Sequence, residues 1–172
     1  MTPLRQALPA AGNPNTLTVW RLERLPHVAT WEQGIGAEKV GGRWSPRGRK
    51  VIYTSLDPST TILEVAVHAG FHILDTVAYS LLRIEILSPD LVHVVNPDDV
   101  PNPLWLQPGT VSTGMEMFGA SLLDKHPFVL IPSVVSSFSW NLIIDVQSAQ
   151  GMFKLVRAER FGLDGRLNKA KS

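Results

Sequence analysis

Lys50-Val51-Ile52-Tyr53-Thr54-Ser55, followed by Asp57-Pro58-Ser59-Thr60-Thr61-Ile62-Leu63-Glu64-Val65-Ala66-Val67-His68-Ala69-Gly70, decides how this chain is built. The first run is short and rich in β-formers, so it reads as a strand. The second is a helix with its own punctuation. Asp57 is a natural N-cap, Pro58 suits the first turn, and Gly70 can end it. Apolar side chains fall on nearly every face of Ile62–Val67, the mark of a buried helix. Glu64 breaks that pattern. A carboxylate there must reach the surface, pair with a cation, or bear a desolvation cost of several kcal/mol. It either shares a wet edge with Thr60, Thr61 and His68 or serves a site, and pattern alone leaves both open.

Outward from this unit, strands dominate. Upstream, Thr16-Leu17-Thr18-Val19-Trp20-Arg21-Leu22 alternates as a strand should. Gly34, Gly36, Gly41 and Gly42 then punctuate what reads as a long irregular stretch. Downstream, Val77–Ile86 places Leu82, Ile84 and Ile86 on one side and Arg83 and Glu85 on the other. Leu91–Val95 is a short strand, and proline-rich Asn96–Gly109 a loop. Thr113–Lys125 reads as a second helix. Phe128–Ile131, Trp140–Ile144 and Phe153–Arg160 are late strands separated by turns at Pro132–Ser139 and Asp145–Gly151. The expected architecture is a single α+β domain, residues 17–167, between a breaker-rich arm, 1–16, and a polar tail, 168–172.

Composition narrows the function. A chain of 172 residues with 16 Lys+Arg against 15 Asp+Glu carries a net charge of +1. It is neither a strongly basic nucleic-acid binder nor an acidic tail protein. No basic patch with interleaved aromatics and no catalytic histidine pair suggests a nuclease. With no cysteine, disulfide scaffolds, thiol nucleophiles, iron–sulfur clusters and Cys-based zinc sites are excluded. No apolar run approaches the ~20 residues of a membrane span, and Met1–Asn15 lacks a signal-peptide core. The expectation is a cytoplasmic protein.

Several residues could carry chemistry. In Gly41-Gly42-Arg43-Trp44-Ser45-Pro46-Arg47-Gly48-Arg49, paired glycines allow close approach of a ligand, and Arg43 can grip a phosphate or carboxylate. Arg47 and Arg49 read as solvent-exposed. The glycine spacing precedes a strand, so it is not a dinucleotide fingerprint. An inward-facing Arg21 would need Glu64 or an anionic ligand as counter-charge; if Trp20 faces inward instead, Arg21 is exposed, and the alternation leans that way. Ser133, in Ile131-Pro132-Ser133-Val134-Val135, lacks Gly-x-Ser-x-Gly and suits positioning better than attack. His68 and His72 are four apart, but Gly70 between them speaks against a zinc pair.

Taken together, Trp20-Arg21, Gly41-Gly42-Arg43-Trp44, Tyr53-Thr54, Leu63-Glu64-Val65 with His68, Pro132-Ser133 and Asn141-Leu142 resemble the RES-domain family, in order and approximate spacing across the domain. The resemblance implies a fold like that of ADP-ribosyltransferases, a split, mostly antiparallel sheet with a few helices. It implies a toxin of a bacterial type II toxin–antitoxin system that degrades NAD by hydrolysis or phosphorolysis of the nicotinamide–ribose bond. The expected partner is an Xre-like helix-turn-helix antitoxin, with any DNA contact made by the antitoxin, no membrane contact, and a homodimer within a larger complex compatible with this reading. By matching motifs, Arg21, Glu64 and Ser133 are the catalytic residues, and Arg21, Arg43, Tyr53 and Ser133 bind NAD, which is substrate rather than cofactor. No metal is implied. Alternatives are mono-ADP-ribosylation of a specific protein and a catalytically decayed antitoxin-binding module.

The chemistry suits those residues. Breaking the nicotinamide–ribose bond builds positive charge on the ribose, which a fixed carboxylate stabilises. Arginines neutralise the pyrophosphate, Tyr53 offers a stacking face, and Ser133 can fix the nicotinamide. Two family features are altered. The Asn-Pro-x-His-Pro-like stretch is replaced by Ile144-Asp145-Val146-Gln147-Ser148-Ala149, and the late Asp-Pro-Arg by Asp164-Gly165-Arg166. Both bear on the acceptor and on antitoxin docking more than on NAD.

Overall fold

A computed structural model describes residues 15–168; the rest of the expected arm and of the polar tail lies outside the described residues. Among the described residues, seven strands form one sheet in the order β4-β5-β6-β2-β1-β3-β7. They are β1 (Leu17–Arg24), β2 (Val51–Ser55), β3 (Tyr79–Ile86), β4 (Val92–Val94), β5 (Phe128–Pro132), β6 (Trp140–Asp145) and β7 (Phe153–Phe161). Only β4 and β5 run parallel; every other neighbouring pair is antiparallel. Strands β1 and β3 are paired along their whole length, from Leu17 opposite Ile86 to Arg24 opposite Tyr79. By contrast, β1 and β2 meet only at Trp20 opposite Ser55. The sheet is thus nearly split into β4-β5-β6-β2 and β1-β3-β7.

The helices are α1 (Ile35–Val40), α2 (Pro58–Ala69), α3 (Phe71–Thr76) and α4 (Thr113–Leu123). The start of α2 follows the sequence reading: Asp57 accepts from the Thr60 N–H at 2.8 Å and from its hydroxyl at 2.7 Å. Gly70, at φ 85°, turns the chain directly into α3.

Strand alternation sorts the core. On one face, Leu17, Val19, Ile52, Ile84, Leu130 and Ile144 pack in a single cluster with Trp31. The opposite face carries two. Val51, Val129, Ile131 and Ile143 pack with Met115 and Leu123 of α4. Leu22 and Tyr79 pack with Ala66 and Leu74 of α2 and α3. Continuing the alternation past Val51, Ile131 and Ile143 puts Tyr53, Ser55, Ser133 and Asn141 on this same face, between the two clusters. In β3, Leu82, Ile84 and Ile86 are buried while Arg83 and Glu85 are half-buried, as the alternation predicts.

The structure corrects the sequence reading in several places. The glycine-punctuated stretch is not irregular. A 3-10 segment, Leu25–Gln33, kinked at Thr30, leads into α1. Gly34 (φ 65°) and Gly41 (φ 74°) flank that helix as caps, the left-handed positions where glycine carries no Cβ penalty. The Asn96–Gly109 loop contains 3-10 turns at Pro97–Asp99 and Pro103–Leu106. Arg49 is not free in solvent; it is partly buried and pairs with Asp145 at 2.9 Å and Asp124 at 2.6 Å. Asp145 also accepts from the Ser148 N–H and hydroxyl. The 144–149 stretch is therefore a carboxylate-capped turn tied to β2's entrance. No helix among the described residues is long and apolar enough to cross a membrane.

Candidate active site

Glu64 is the centre of the polar cluster between the two hydrophobic groups. The α2 helix is anchored at its start by Asp57 and by the Thr61 hydroxyl, which donates to the Trp20 carbonyl at 3.0 Å. Glu64, one turn on, meets the ends of β5 and β6. The Ser133 hydroxyl donates to Glu64 Oε1 at 2.9 Å, and Asn141 Nδ2 donates to the same oxygen. Among the described residues Oε2 accepts no hydrogen bond. Ser133 in turn accepts from the Ser136 N–H at 3.1 Å, and its own N–H is held by the Ser139 carbonyl at 2.9 Å. Its hydroxyl thus faces a carboxylate and no histidine base, which fits positioning rather than attack.

Arg43 approaches from a tight turn closed by the Gly42 N–H to Ser45 carbonyl bond of 2.9 Å. Beneath it lies Tyr53. The phenol oxygen accepts from the Trp44 N–H at 3.2 Å and shares a 2.8 Å hydrogen bond with the Ser45 hydroxyl. Gly42 rides directly on the ring, where a Cβ would come within 2.5 Å of the phenol oxygen. Trp44 is buried and meets Phe118 of α4 edge-on, at a centroid distance of 6.1 Å. Burial raises the Tyr53 pKa above its ordinary value, opposed by the Ser45 and Trp44 hydrogen bonds and by Arg43.

Among the described residues the Arg43 guanidinium touches only neutral acceptors: the Gly109 carbonyl at 3.0 Å, the Trp105 carbonyl at 3.3 Å and Met115 Sδ at 3.5 Å. Burial lowers its pKa, while the Glu64 carboxylate and Tyr53 act in the opposite direction. A half-buried cation without a carboxylate in contact can take an anionic ligand.

Arg21 differs. Its guanidinium donates to Glu23 Oε2 at 2.8 Å through Nε and lies 2.7 Å from it through NH2. NH1 donates to the Tyr53 carbonyl at 2.9 Å, across the notch where β1 and β2 part. The counter-charge is therefore Glu23, two residues along its own strand, rather than Glu64 or a ligand. It is half-buried, not exposed as the alternation suggested.

The structure thus brings Glu64 and Ser133 into direct contact and sets Arg43 within electrostatic reach of Glu64, whereas Arg21 bonds the Tyr53 carbonyl and Glu23 and touches none of the three. Asn141 was not expected to touch Glu64. Its signal was a polar side chain at an inward position of an otherwise apolar strand, Trp140–Asp145. His68 and His72 sit on separate helices, α2 and α3.

Comparison with known proteins places the chain. The family model described as the RES domain matches residues 18–164. A protein named Toxin Res from Photorhabdus laumondii is 30% identical over 90% of this chain and 99% of its own length. Proteins of the same name from Pseudomonas putida and Yersinia enterocolitica are 29% and 28% identical, each over 88% of this chain and 99% of the relative. Among solved structures, the crystal structure of the M. tuberculosis MbcT–MbcA toxin–antitoxin complex contains a chain that matches with a TM-score of 0.63 at 20% identity, over 86% of this chain and 85% of that one. The fold is shared at that identity, and the motifs, the family match and the full-length relatives converge: this chain belongs to the RES-domain family.

Proposed function

We propose that this protein is the toxin of a toxin–antitoxin pair and that it cleaves the nicotinamide–ribose bond of NAD. Relatives named Toxin Res, matched over nearly their full length, support the first half. The fold neighbour's capture in a toxin–antitoxin complex supports an antitoxin partner, for which we propose an Xre-like helix-turn-helix protein. The observation that carries the second half is the charge arrangement: a carboxylate held through one oxygen and free at the other, near an arginine that touches only neutral groups.

That pair matches the charge that develops along the reaction. As the ribose C1′–N bond breaks, its electron pair goes to the nicotinamide, which leaves neutral. Positive charge spreads over C1′ and the ring oxygen, where Glu64 stabilises it. An acceptor oxygen then bonds C1′: water releases its proton to bulk solvent, and a phosphate oxyanion attacks with none to lose. Arg43, with its turn fixed by Tyr53, takes the pyrophosphate, and Arg21 supplies a second cation partly offset by Glu23. Ser133 holds the carboxylate and is placed to orient the nicotinamide. Removing a preorganised group of this kind costs on the order of 10²–10³ in kcat.

The test is purified protein, freed of any co-purifying partner, incubated with NAD and followed by NMR with and without phosphate. Wild type is expected to release free nicotinamide, and the ribose-side product names the acceptor. Folded Glu64→Ala should release almost none. No nicotinamide from folded, partner-free wild type overturns the reading; a labelled protein band from radiolabelled NAD would replace it with protein ADP-ribosylation.

A further inference from the structure

We propose that Asn141 and Ser55 are positioning residues that set the orientation of the Glu64 carboxylate, an inference that rests on Glu64 being the catalytic carboxylate of the reading above. The two residues stand directly opposite each other across β2 and β6. The Ser55 hydroxyl donates to Asn141 Oδ1 at 2.7 Å, and Asn141 Nδ2 donates to Glu64 Oε1. Both are inward-facing, and Ser55 is buried.

Direction gives this chain its meaning. An ionised carboxylate only accepts, so the amide must present its NH2 group to Glu64. The flipped amide would set a carbonyl against the carboxylate. A hydroxyl can donate or accept, so the carboxylate selects the orientation, and Ser55, donating to Oδ1, holds the amide in it. The ladder between β2 and β6 therefore fixes the amide, and the amide, with Ser133, fixes Oε1. Oε2 is left as the oxygen available to substrate. A glutamate on a helix otherwise keeps three side-chain torsions, and a displacement of about 1 Å at a reacting group can cost ~10²-fold in rate. Ser133 reaches Oε1 from the Pro132–Ser139 turn, whereas Ser55 and Asn141 belong to the sheet. The sheet side of the clamp thus supplies the rigid reference that a loop donor lacks.

The experiment uses the full chain carrying 13C-carboxyl glutamate, with the Glu64 resonance assigned by its absence in Glu64→Gln. Asn141→Ala should shift and broaden that resonance, Ser55→Ala should do so to a smaller extent, and Ser55→Thr, which keeps the hydroxyl, should resemble wild type. In NAD turnover Asn141→Ala should lower kcat by about 10–100-fold, with KM within about twofold, since the lost contact serves the transition state rather than binding. Asn141→Asp, nearly identical in shape, should not rescue, because it replaces the donor with a second carboxylate. If Asn141→Ala proves unfolded by circular dichroism, the Ser55 pair carries the same comparison. An unmoved Glu64 resonance in folded Asn141→Ala and Ser55→Ala, or rescue by Asn141→Asp, overturns the proposal. A moved resonance with no NAD cleavage by wild type leaves the clamp standing and overturns the NAD reading.

Discussion

Replacing Gly42 with alanine tests whether the turn that presents Arg43 is built on Tyr53. A Cβ at this position would lie 2.5 Å from the phenol oxygen and 2.8 Å from Cε2 and Cζ, where ordinary contact begins at 3.4 Å. The phenol oxygen must therefore retreat by about 0.9 Å. It cannot do so freely, because it accepts from the Trp44 N–H at 3.2 Å and bonds the Ser45 hydroxyl at 2.8 Å, both in the same turn. Overpacking costs about 1–3 kcal/mol, and each loosened hydrogen bond about 0.5–1.5 kcal/mol. A total near ~3 kcal/mol lowers Tm by roughly 6–12 °C in a chain of this length.

Thermal and urea melts of Gly42→Ala, Tyr53→Phe and the double variant separate the terms. Tyr53→Phe alone loses the hydrogen bonds, at about 1–2 kcal/mol. In the double variant the nearest obstacle is the ring at 2.8 Å rather than the oxygen at 2.5 Å. The double loss should therefore fall short of the sum by about 1 kcal/mol. In NAD turnover, KM should rise with the displaced Arg43. A Tm for Gly42→Ala within about 2 °C of wild type, or strict additivity in the cycle, would refute the argument.

Other sites give independent tests. Arg49→Met should cost about 2 kcal/mol in urea melts, less than a fully buried pair because Arg49 stays partly exposed and Asp145 keeps its Ser148 bonds; a midpoint unchanged from wild type would sink this. Glu23→Gln frees Arg21 from its counter-charge and should lower KM for NAD about two- to fivefold; a raised KM would show that Glu23 supports binding instead. His93 and His126 stack with ring centroids 4.2 Å apart. Burial, then the charge of His126, hold the His93 pKa below its ordinary value, with Asp99 opposing. The folded value lies below the unfolded one, so this contribution to stability is present above about pH 6.5 and lost as pH falls through the folded value. His126→Gln should move the NMR titration of His93 upward and flatten that acid loss; an unmoved titration would contradict the stated cause.

What the sequence disclosed follows the range of the forces involved. The α2 helix was legible because its signals are local: Asp57 caps a bond three residues away, and Gly70 ends the helix. Strand β3 was legible because its period repeats within one element. The glycines at 34 and 41 misled because the same φ that breaks a strand also caps a helix, and only the fold shows which. Arg49 misled because its partners, Asp124 and Asp145, are brought in by α4 and β6, far along the chain. Family resemblance supplied Ser133 and Arg21 as catalytic, where pattern alone offered a positioning hydroxyl and favoured an exposed arginine. Neither source supplied Asn141 as a clamp or Glu23 as the counter-charge, since each depends on register and rotamer.

The near-split of the sheet explains why these groups gather where they do. Continuous pairing between β1 and β2 would fill the region with ladder bonds and apolar side chains. Pairing stops at Trp20 and Ser55, which leaves the Tyr53 carbonyl for the Arg21 guanidinium. The two hydrophobic clusters on that face do not merge, so the surface between them can hold Ser55, Asn141, Glu64 and Ser133. Half-buried polar groups are costly unless each finds a partner. Here serine satisfies amide, amide and serine satisfy carboxylate, and a backbone N–H satisfies serine. What the network leaves over is one carboxylate oxygen and one arginine without a carboxylate in contact. Those residual charges are of opposite sign and held near each other on one face of the sheet, the arrangement that the proposed NAD cleavage needs, since that substrate is anionic at its pyrophosphate and becomes cationic at its ribose as it reacts.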